Sequence, residues 1–397
     1  MGEGAGRWLV IAEEDVLPAT TGCRVDHRGF LDALVAAGTL TTLLVPSREG
    51  VDPVRYGKEL PGVRVVALPR DERARHHLSV RPYVIGSRPL TDDLWRAVAA
   101  DEGDGGYAAV VSYSVRVAHL GRAVAEPRGL PHLVRCQNLD SAYFADLARS
   151  SHGARRAGYA LESLRLRRFE RELNADRAIT AFADTSVDEA AGHRTRTATP
   201  VLHIPSYALA GVGTAAPLTG RSGVVFVGSL DVETNQAAVG WLVREVWPLL
   251  GVPGAALTVV GRRPGADLHA LLDGRPGLSL HGDVPDTVPY LERAAVCTNP
   301  ARTGSGINVK LLQGMAAGCA AVSTTLGASG LGWVDGEHLL VRDDPRDFAA
   351  AVRGLLTDAP ARARLAAAGQ AYVREQMDGA ANLRRMADAL GVRLVAA

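Results

Sequence analysis

Only four cysteines, Cys23, Cys136, Cys297 and Cys319, are scattered over the 397 residues, and no two form a Cys-x-x-Cys pair. They read as free thiols in a reducing compartment. An excess of one charge is also lacking, since 44 Lys and Arg meet 43 Asp and Glu for a formal net charge of +1. Such a balance provides no global field toward nucleic acid or an anionic membrane. No stretch approaches the roughly 18 apolar residues of a membrane span. The acidic, Gly-rich start from Met1 to Gly6 and the short apolar run Trp8 to Ala12 do not have the pattern of a secretion signal. A cytoplasmic, soluble protein is expected. The acidic pairs and scattered His residues lack metal-ligand spacing, so no metal is expected.

What the chain does have is apolar material for two full cores, with hydrophobic residues at 47%. At roughly 150 residues per domain, two or three domains are expected. In the first half, strands are expected at Trp8–Ala12, Leu40–Val45, Val63–Leu68, Ala108–Ser112, Leu130–Val134, Arg177–Phe182 and Pro200–Ile204. Helices alternate with them, one stopped by Gly38, one at Leu94–Ala100 and one at Thr185–Ala191. This alternation predicts an α/β fold with a parallel sheet, whose ligands sit beyond the carboxyl ends of the strands. The lining is then expected from Glu13–Arg24, Ser112–Arg116 and Cys136–Tyr143. Gly158–Asp176 reads as one long charged helix, with Arg165, Arg167, Arg168 and Arg171 interleaved with Glu162, Glu170 and Glu172. Interleaving favours a solvated face with i,i+4 pairs over a basic patch.

Pro205–Ser222 is rich in Pro, Gly, Ala and Thr and reads as a connection between domains. A second doubly wound unit follows, with strands at Gly223–Val227, Leu257–Val260, Gly277–Leu280, Ala294–Thr298 and Ala320–Ser323 and a long helix at Glu233–Leu250. Later helices are expected at Asp286–Arg293, Arg346–Leu356, Ala361–Glu375 and Ala380–Leu390. The boundaries are taken as 1–205 and 206–379. Glycine or polar residues follow one strand after another: Gly228-Ser229, Gly261-Arg262, Gly282-Asp283 and Thr303–Gly306. Strand ends of a parallel sheet share one edge, so these are expected to be neighbours in space. Pro300–Cys319 is the centre of this half. A loop with Gly304, Ser305 and Gly306 leads into a helix whose apolar side carries Ile307, Leu311, Leu312 and Met315, with Lys310 and Gln313 opposite. Helix amides, glycines and a Lys one turn in make an anion site, and Arg262 adds a second positive charge.

The runs Phe226-Val-Gly-Ser-Leu-Asp-Val-Glu-Thr-Asn235, Leu257–Pro264, His281–Asp286, Gly304–Gln313 and Met315–Gly318 resemble the nucleotide-sugar half of a family-4 (group 1) glycosyltransferase. The likeness is strong over about residues 220–375 and weak before them. It implies the GT-B fold: two doubly wound, Rossmann-like domains facing across a cleft, with the helix at about 380–397 packing back on the first. It also implies a hexosyl-type transferase, metal-independent and without a cofactor beyond the nucleoside-diphosphate sugar it consumes. The low net charge and the lack of a membrane span point to a small-molecule acceptor such as a natural product, with a lipid-linked acceptor or a glycan left open. By resemblance, Lys310 and Arg262 hold the diphosphate. Gly228, Ser229, Asn235, Gly304, Ser305, Gly306 and Gln313 complete the donor site, and Val284 lies against the base. The acceptor-side candidates are Gly22, Arg24, His27, Gln137 and Asp140. Further acids and a His near that side are Glu13, Glu14, Asp15, Asp26 and His119.

The chain also departs from the family's pattern. Gln313 stands where a Glu is usual and Ser305 where its acidic partner is usual. Ser229 and Asn235 replace an Arg and a Lys, and Gln137 aligns with a His. A retaining member needs little base help, because the leaving phosphate takes the acceptor proton, and catalysis is then positioning and diphosphate stabilisation. Two other functions fit the same architecture: a nucleotide-sugar 2-epimerase, disfavoured by the missing carboxylates, and a catalytically decayed binding or scaffold protein.

Overall fold

The computed structural model describes residues 6–19, 22–73, 76, 79–102, 105–207, 220–303 and 307–394. The chain divides into two compact units, Met1–Tyr207 with Asp378–Ala397, and Ala208–Met377. The apolar runs that the sequence marks as strands do form strands, because burial on both faces suits their uninterrupted hydrophobicity.

In the first unit the order is β1 (Arg7–Ile11), α1 (Gly22–Ala36), β2 (Thr41–Ser47), α2 (Pro53–Glu59), β3 (Val63–Pro69), α3 (Tyr83–Gly86), α4 (Asp92–Glu102) and β4 (Tyr107–Ser112). It continues with α5 (Ala118–Ala125), β5 (His132–Cys136), α6 (Asp140–Ser150), α7 (Gly153–Asn174), β6 (Ala181–Asp184), α8 (Val187–Arg194) and β7 (Val201–His203). The seven strands form one sheet in the order β3-β2-β1-β4-β5-β6-β7. Every pairing is parallel. The alternation of side chains along β1 shows the double winding. Trp8 and Val10 enter one core with Phe30, Leu31 and Leu34 of α1, while Leu9 and Ile11 enter the other with Leu94 and Val98 of α4. The strand order reverses between β1 and β4, which puts the switch point at the residues after Ile11 and Ser112.

The second unit runs β8 (Ser222–Val227), α9 (Glu233–Trp241), β9 (Leu257–Gly261), α10 (Ala266–Leu272), β10 (Leu278–Gly282), α11 (Val288–Arg293) and β11 (Ala294–Asn299). Then come α12 (Val309–Ala316), β12 (Ala320–Ser323), β13 (Leu340–Val341), α13 (Pro345–Thr357) and α14 (Ala359–Gln376). Its six-stranded sheet has the order β10-β9-β8-β11-β12-β13, again wholly parallel. Val224 and Phe226 of β8 face one core, Val225 and Val227 the other. The last helix, α15 (Gly379–Leu390), belongs to the first unit. Its Leu383, Met386, Ala387 and Leu390 join the core beneath α1, and the Tyr207 hydroxyl donates to Met386 Sδ at 3.4 Å.

Several expectations are revised. Gly22–Arg24, the end of the expected lining stretch Glu13–Arg24, open α1. The long helix expected to Leu250 is regular only to Trp241. A wider turn at Leu242–Val246 and a tight one at Trp247–Leu249 follow, where Pro248 supplies no amide. The charged helix starts at Gly153 and is preceded by the unforeseen α6. Its Arg168 pairs with Glu172 at 2.9 Å on an exposed face, as i,i+4 spacing favours. Glu170 instead turns inward and accepts from the Ser141 amide at 3.0 Å, at the start of α6. Of the expected connection Pro205–Ser222, residues 208–219 lie outside the described residues.

Candidate functional site

In the second unit the sheet order reverses between β8 and β11, so the residues after Val227 and Asn299 flank the switch point. Gly261 ends β9 against the chain leaving β8. A Cβ there would lie 1.8 Å from the Gly228 carbonyl oxygen, so only glycine fits. The Gly228 amide donates to Val260 O at 3.0 Å and the Leu230 amide to Arg262 O at 2.9 Å. These bonds fix Ser229 beside Arg262, whose Nε donates to Ser229 Oγ at 3.2 Å. Asp231 lies 3.7 Å from Arg262 Nη2 and 3.6 Å from Arg263 Nη1. Arg263 and Asp283 both have left-handed backbones, with φ of 49° and 52°. The Arg263 amide donates to Asp283 Oδ1 at 2.8 Å. Two non-glycine residues in that region at adjacent strand ends are a local strain of the kind that accumulates at sites.

Lys310 lies in the first turn of α12. Its Nζ donates to Asn235 Oδ1 on α9 and stands 5.2 Å from the Phe226 ring centroid. Asn235 Nδ2 in turn donates to Ser229 O at 2.8 Å. Ser229, Asn235, Arg262 and Lys310 therefore form one connected cluster. Burial lowers the Lys310 pKa to about 8, because desolvation disfavours the ammonium. A cation in the first turn also sits at the positive end of the helix dipole. No acidic residue occupies that turn, and the Asn308 side chain makes no capping bond. Two cations and a helix N-terminus gathered at one sheet edge have the chemistry of an anion site. Gln313 is half-buried one turn further along α12, and Val284 packs against the apolar cluster of Leu291, Leu311 and Met315. Gly304, Ser305 and Gly306 lie outside the described residues.

The first unit gathers a second polar cluster at its own switch point. The Arg116 guanidinium holds Asp140 at 2.7 Å and lies 3.6 Å from Glu13. Cys23 Sγ donates to Glu13 Oε1 at 3.4 Å and to Gln137 Oε1 at 2.9 Å. Arg88, only 3% exposed, donates to Glu13 O at 2.8 Å. Burial raises the Glu13 pKa, but Arg116 and Arg88 outweigh it and hold the carboxyl below its usual value. Burial lowers that of Arg88 to about 10. The three stretches expected to line this edge do meet there. Arg88 was not foreseen, since nothing in its local sequence marks it for burial.

The individual acceptor-side candidates fall in different places. Gly22 is exposed at the start of α1, and Arg24 pairs with Glu14 at 3.0 Å. Gln137 is half-buried and reaches Asp26 Oδ2 at 3.4 Å. His27 is a core residue, 3% exposed and stacked on Tyr113 with centroids 3.8 Å apart. Burial lowers its pKa to about 3, so it is a neutral packing group. His119 is half-buried, with Nε2 on Arg88 O at 2.7 Å. Asp26 is spent on structure. It pairs with Arg135 at 3.1 Å, accepts from the Tyr207 amide at 2.6 Å and accepts from the Tyr113 hydroxyl at 2.8 Å. Asp15 accepts from the Tyr56 hydroxyl at 2.5 Å.

Residues 221–358 match the family model described as glycosyl transferases group 1. The match covers most of the second unit, which resembles a group 1 glycosyltransferase domain. The cluster of Ser229, Asn235, Arg262 and Lys310 lies within the matched residues of this domain. The chain as a whole has the GT-B fold. It is similar to the sucrose-phosphate synthase of Thermosynechococcus elongatus, with a TM-score of 0.68 and 16% identity over 97% of this chain and 99% of that one. It is similar to Anabaena HepE, solved in complex with UDP and glucose, with a TM-score of 0.65 and 11% identity over 97% and 99%. It is also similar to the spinosyn forosaminyltransferase SpnP, with a TM-score of 0.54 and 17% identity over 98% and 100%. No curated protein sequence matches the chain. No helix among the described residues is long and apolar enough to cross a membrane.

Proposed function

We propose that this glycosyltransferase moves a sugar from a nucleoside-diphosphate sugar to a hydroxyl or amine of a small-molecule acceptor, with retention of configuration and without a metal at the donor. The observation that carries the reading is Lys310. A partly buried ammonium in the first turn of a helix, tied to Asn235 and linked through Asn235 and Ser229 to Arg262, is an unfavourable assembly that a diphosphate would relieve. The second unit would bind the donor, with Arg262 and Lys310 on the diphosphate, Ser229 and Asn235 orienting them and Val284 against the base. Gln313 would meet the ribose, accepting through its carbonyl and donating through its amide. As the glycosidic bond breaks, negative charge grows on the leaving phosphate, and both cations stabilise it there. The acceptor would be read by the first unit, from Glu13, Arg88, Arg116, Gln137 and Asp140. The natural-product setting has its support in the likeness to the forosaminyltransferase.

The test is to incubate the chain with nucleotide sugars and a panel of hydroxyl and amine acceptors, following nucleoside-diphosphate release and the anomeric proton of the product. Acceptor-dependent release with retained configuration supports the proposal. Tight nucleotide binding with no turnover on any acceptor favours a decayed binding protein, for which the substitutions at Ser229, Gln137 and Gln313 speak. Isomerisation of the donor without acceptor would make it an epimerase.

A further inference from the structure

Cys136 and Asp184 end the adjacent strands β5 and β6 and are register partners. His193 comes to them from α8. One ligand atom from each of the three lies within 4.8 Å of the others. We propose that Cys136, Asp184 and His193 bind a single divalent metal ion of the zinc type, as a structural site of the first unit. The proposal is independent of the donor reading, since it uses none of its residues.

The donor set is the first argument. A thiol, an imidazole and a carboxylate together suit zinc, whereas oxygen-only sets suit calcium or magnesium. Asp184 and His193 are 2% and 7% exposed, so they are held by packing. Phe182 lies beside the His193 ring with centroids 4.6 Å apart.

Orientation is the second. His193 Nδ1 lies 2.9 Å from Asp184 Oδ2, and Nε2 lies 2.9 Å from Asn174 Oδ1. Both ring nitrogens face oxygen acceptors. An Nε2–H held by an amide carbonyl is the arrangement that fixes a metal-bound imidazole, with Nδ1 directed at the ion. Asn174 is thus a positioning residue.

Space is the third. The three residues line a cavity of about 40 Å³ together with Glu189 and Asn174. A water needs roughly 10–15 Å³ of such space, so an ion and a water fit. The water supplies the fourth ligand.

Binding balances in charge. The ion displaces the Cys136 thiol proton and the proton between His193 Nδ1 and Asp184. Two positive charges arrive and two leave, so the buried site keeps its net charge. The sequence hides the set because its members stand at 136, 184 and 193, with no short spacing between them.

The experiment strips the full chain with a chelator and titrates it with Co²⁺, then Zn²⁺. The expected result is a thiolate-to-cobalt charge-transfer band that saturates at one equivalent and is abolished by Zn²⁺. The band should be lost in Cys136→Ser and kept in Cys23→Ser. Calorimetry in two buffers should show release of about two protons per ion. Asn174→Leu should keep the band but weaken zinc binding about tenfold or more, which covers the case in which Cys136→Ser does not fold. Absence of the band in the wild type, or its persistence in a folded Cys136→Ser, would overturn the site and leave a hydrogen-bonded cluster.

Discussion

Lys310 and Asn235, 75 residues apart in sequence, meet through the Lys310 ammonium and the Asn235 side-chain carbonyl. That bond ties α12 to α9 at the edge where β8 and β9 end. In the proposed donor site, replacing Lys310 by Ala removes one charge-assisted partner of the diphosphate, worth roughly 1.5–3 kcal/mol. Nucleoside-diphosphate binding should therefore weaken by about 10- to 150-fold, as calorimetry would read. Asn235→Ala should weaken it less, because the ammonium remains.

The lowered pKa of Lys310 gives a pH dependence. Only its charged form serves a diphosphate, so affinity should fall as pH rises above about 8. Stability should move the other way. A base whose folded pKa is depressed binds fewer protons folded than unfolded between about 8 and the ordinary Lys value of about 10.4, so its burial penalty fades across that window. Calorimetric titrations at pH 7, 8 and 9 on wild type and Lys310→Ala check the first statement. A flat affinity in the wild type would contradict it.

Two buried histidines and the half-buried His119 make the first unit acid-sensitive. Burial lowers the pKa of His27 and His132 to about 3 and of His119 to about 4. Below the ordinary value of about 6.5 the unfolded chain takes up these protons while the folded chain does not. Stability should therefore fall as pH drops from about 6.5 toward 4, by up to about 1.4 kcal/mol per pH unit for each histidine. Urea midpoints at pH 7, 6 and 5 measure this, and His132→Phe should flatten the slope.

Asp26 and Arg135 form a buried pair whose guanidinium also lies 5.2 Å over Tyr113 and 5.3 Å over Tyr207. Removing the carboxylate leaves a buried charge without its partner, at a cost of about 3–5 kcal/mol. Asp26→Ala should lower the melting temperature of the first unit or prevent its folding. A melting curve like that of the wild type would refute the structural role given to Asp26.

Gly261→Ala tests the strand-end geometry, because the new Cβ meets a backbone oxygen that cannot rotate away. Overpacking of this kind costs about 1–3 kcal/mol. The change should lower the melting temperature of the second unit by several degrees and weaken nucleotide binding, since Ser229 and Arg262 are displaced with it.

The strands and the double winding were legible because they depend on short-range pattern. Buried runs such as Leu257–Gly261 and Ala294–Asn299 are nearly continuous in apolar residues, and the glycine and polar residues after them mark the strand ends. Lys310 and Arg262 stood out for the same reason. Helix ends were less legible: α9 gives way where a wider turn at Leu242–Val246 leads to Pro248, a local adjustment that periodicity does not reveal. Partners across the fold were not legible. Asn235 with Lys310, Arg88 with Glu13 and Cys136 with Asp184 are set by register and packing between distant segments. His27 shows the converse, a residue with reactive chemistry whose stacking on Tyr113 makes it part of the core.

The measurement that bears most directly on the central claim is a thermal-shift series with the diphosphates of uridine, guanosine, thymidine and adenosine, on wild type and Lys310→Ala. A nucleotide at about 100 times its dissociation constant stabilises by about 2.7 kcal/mol, which moves a melting point by several degrees. The prediction is that one nucleotide raises the melting point of the wild type and raises that of the variant by about half as much or less. No shift with any of the four, or an equal shift in both proteins, would contradict a donor site built on Lys310.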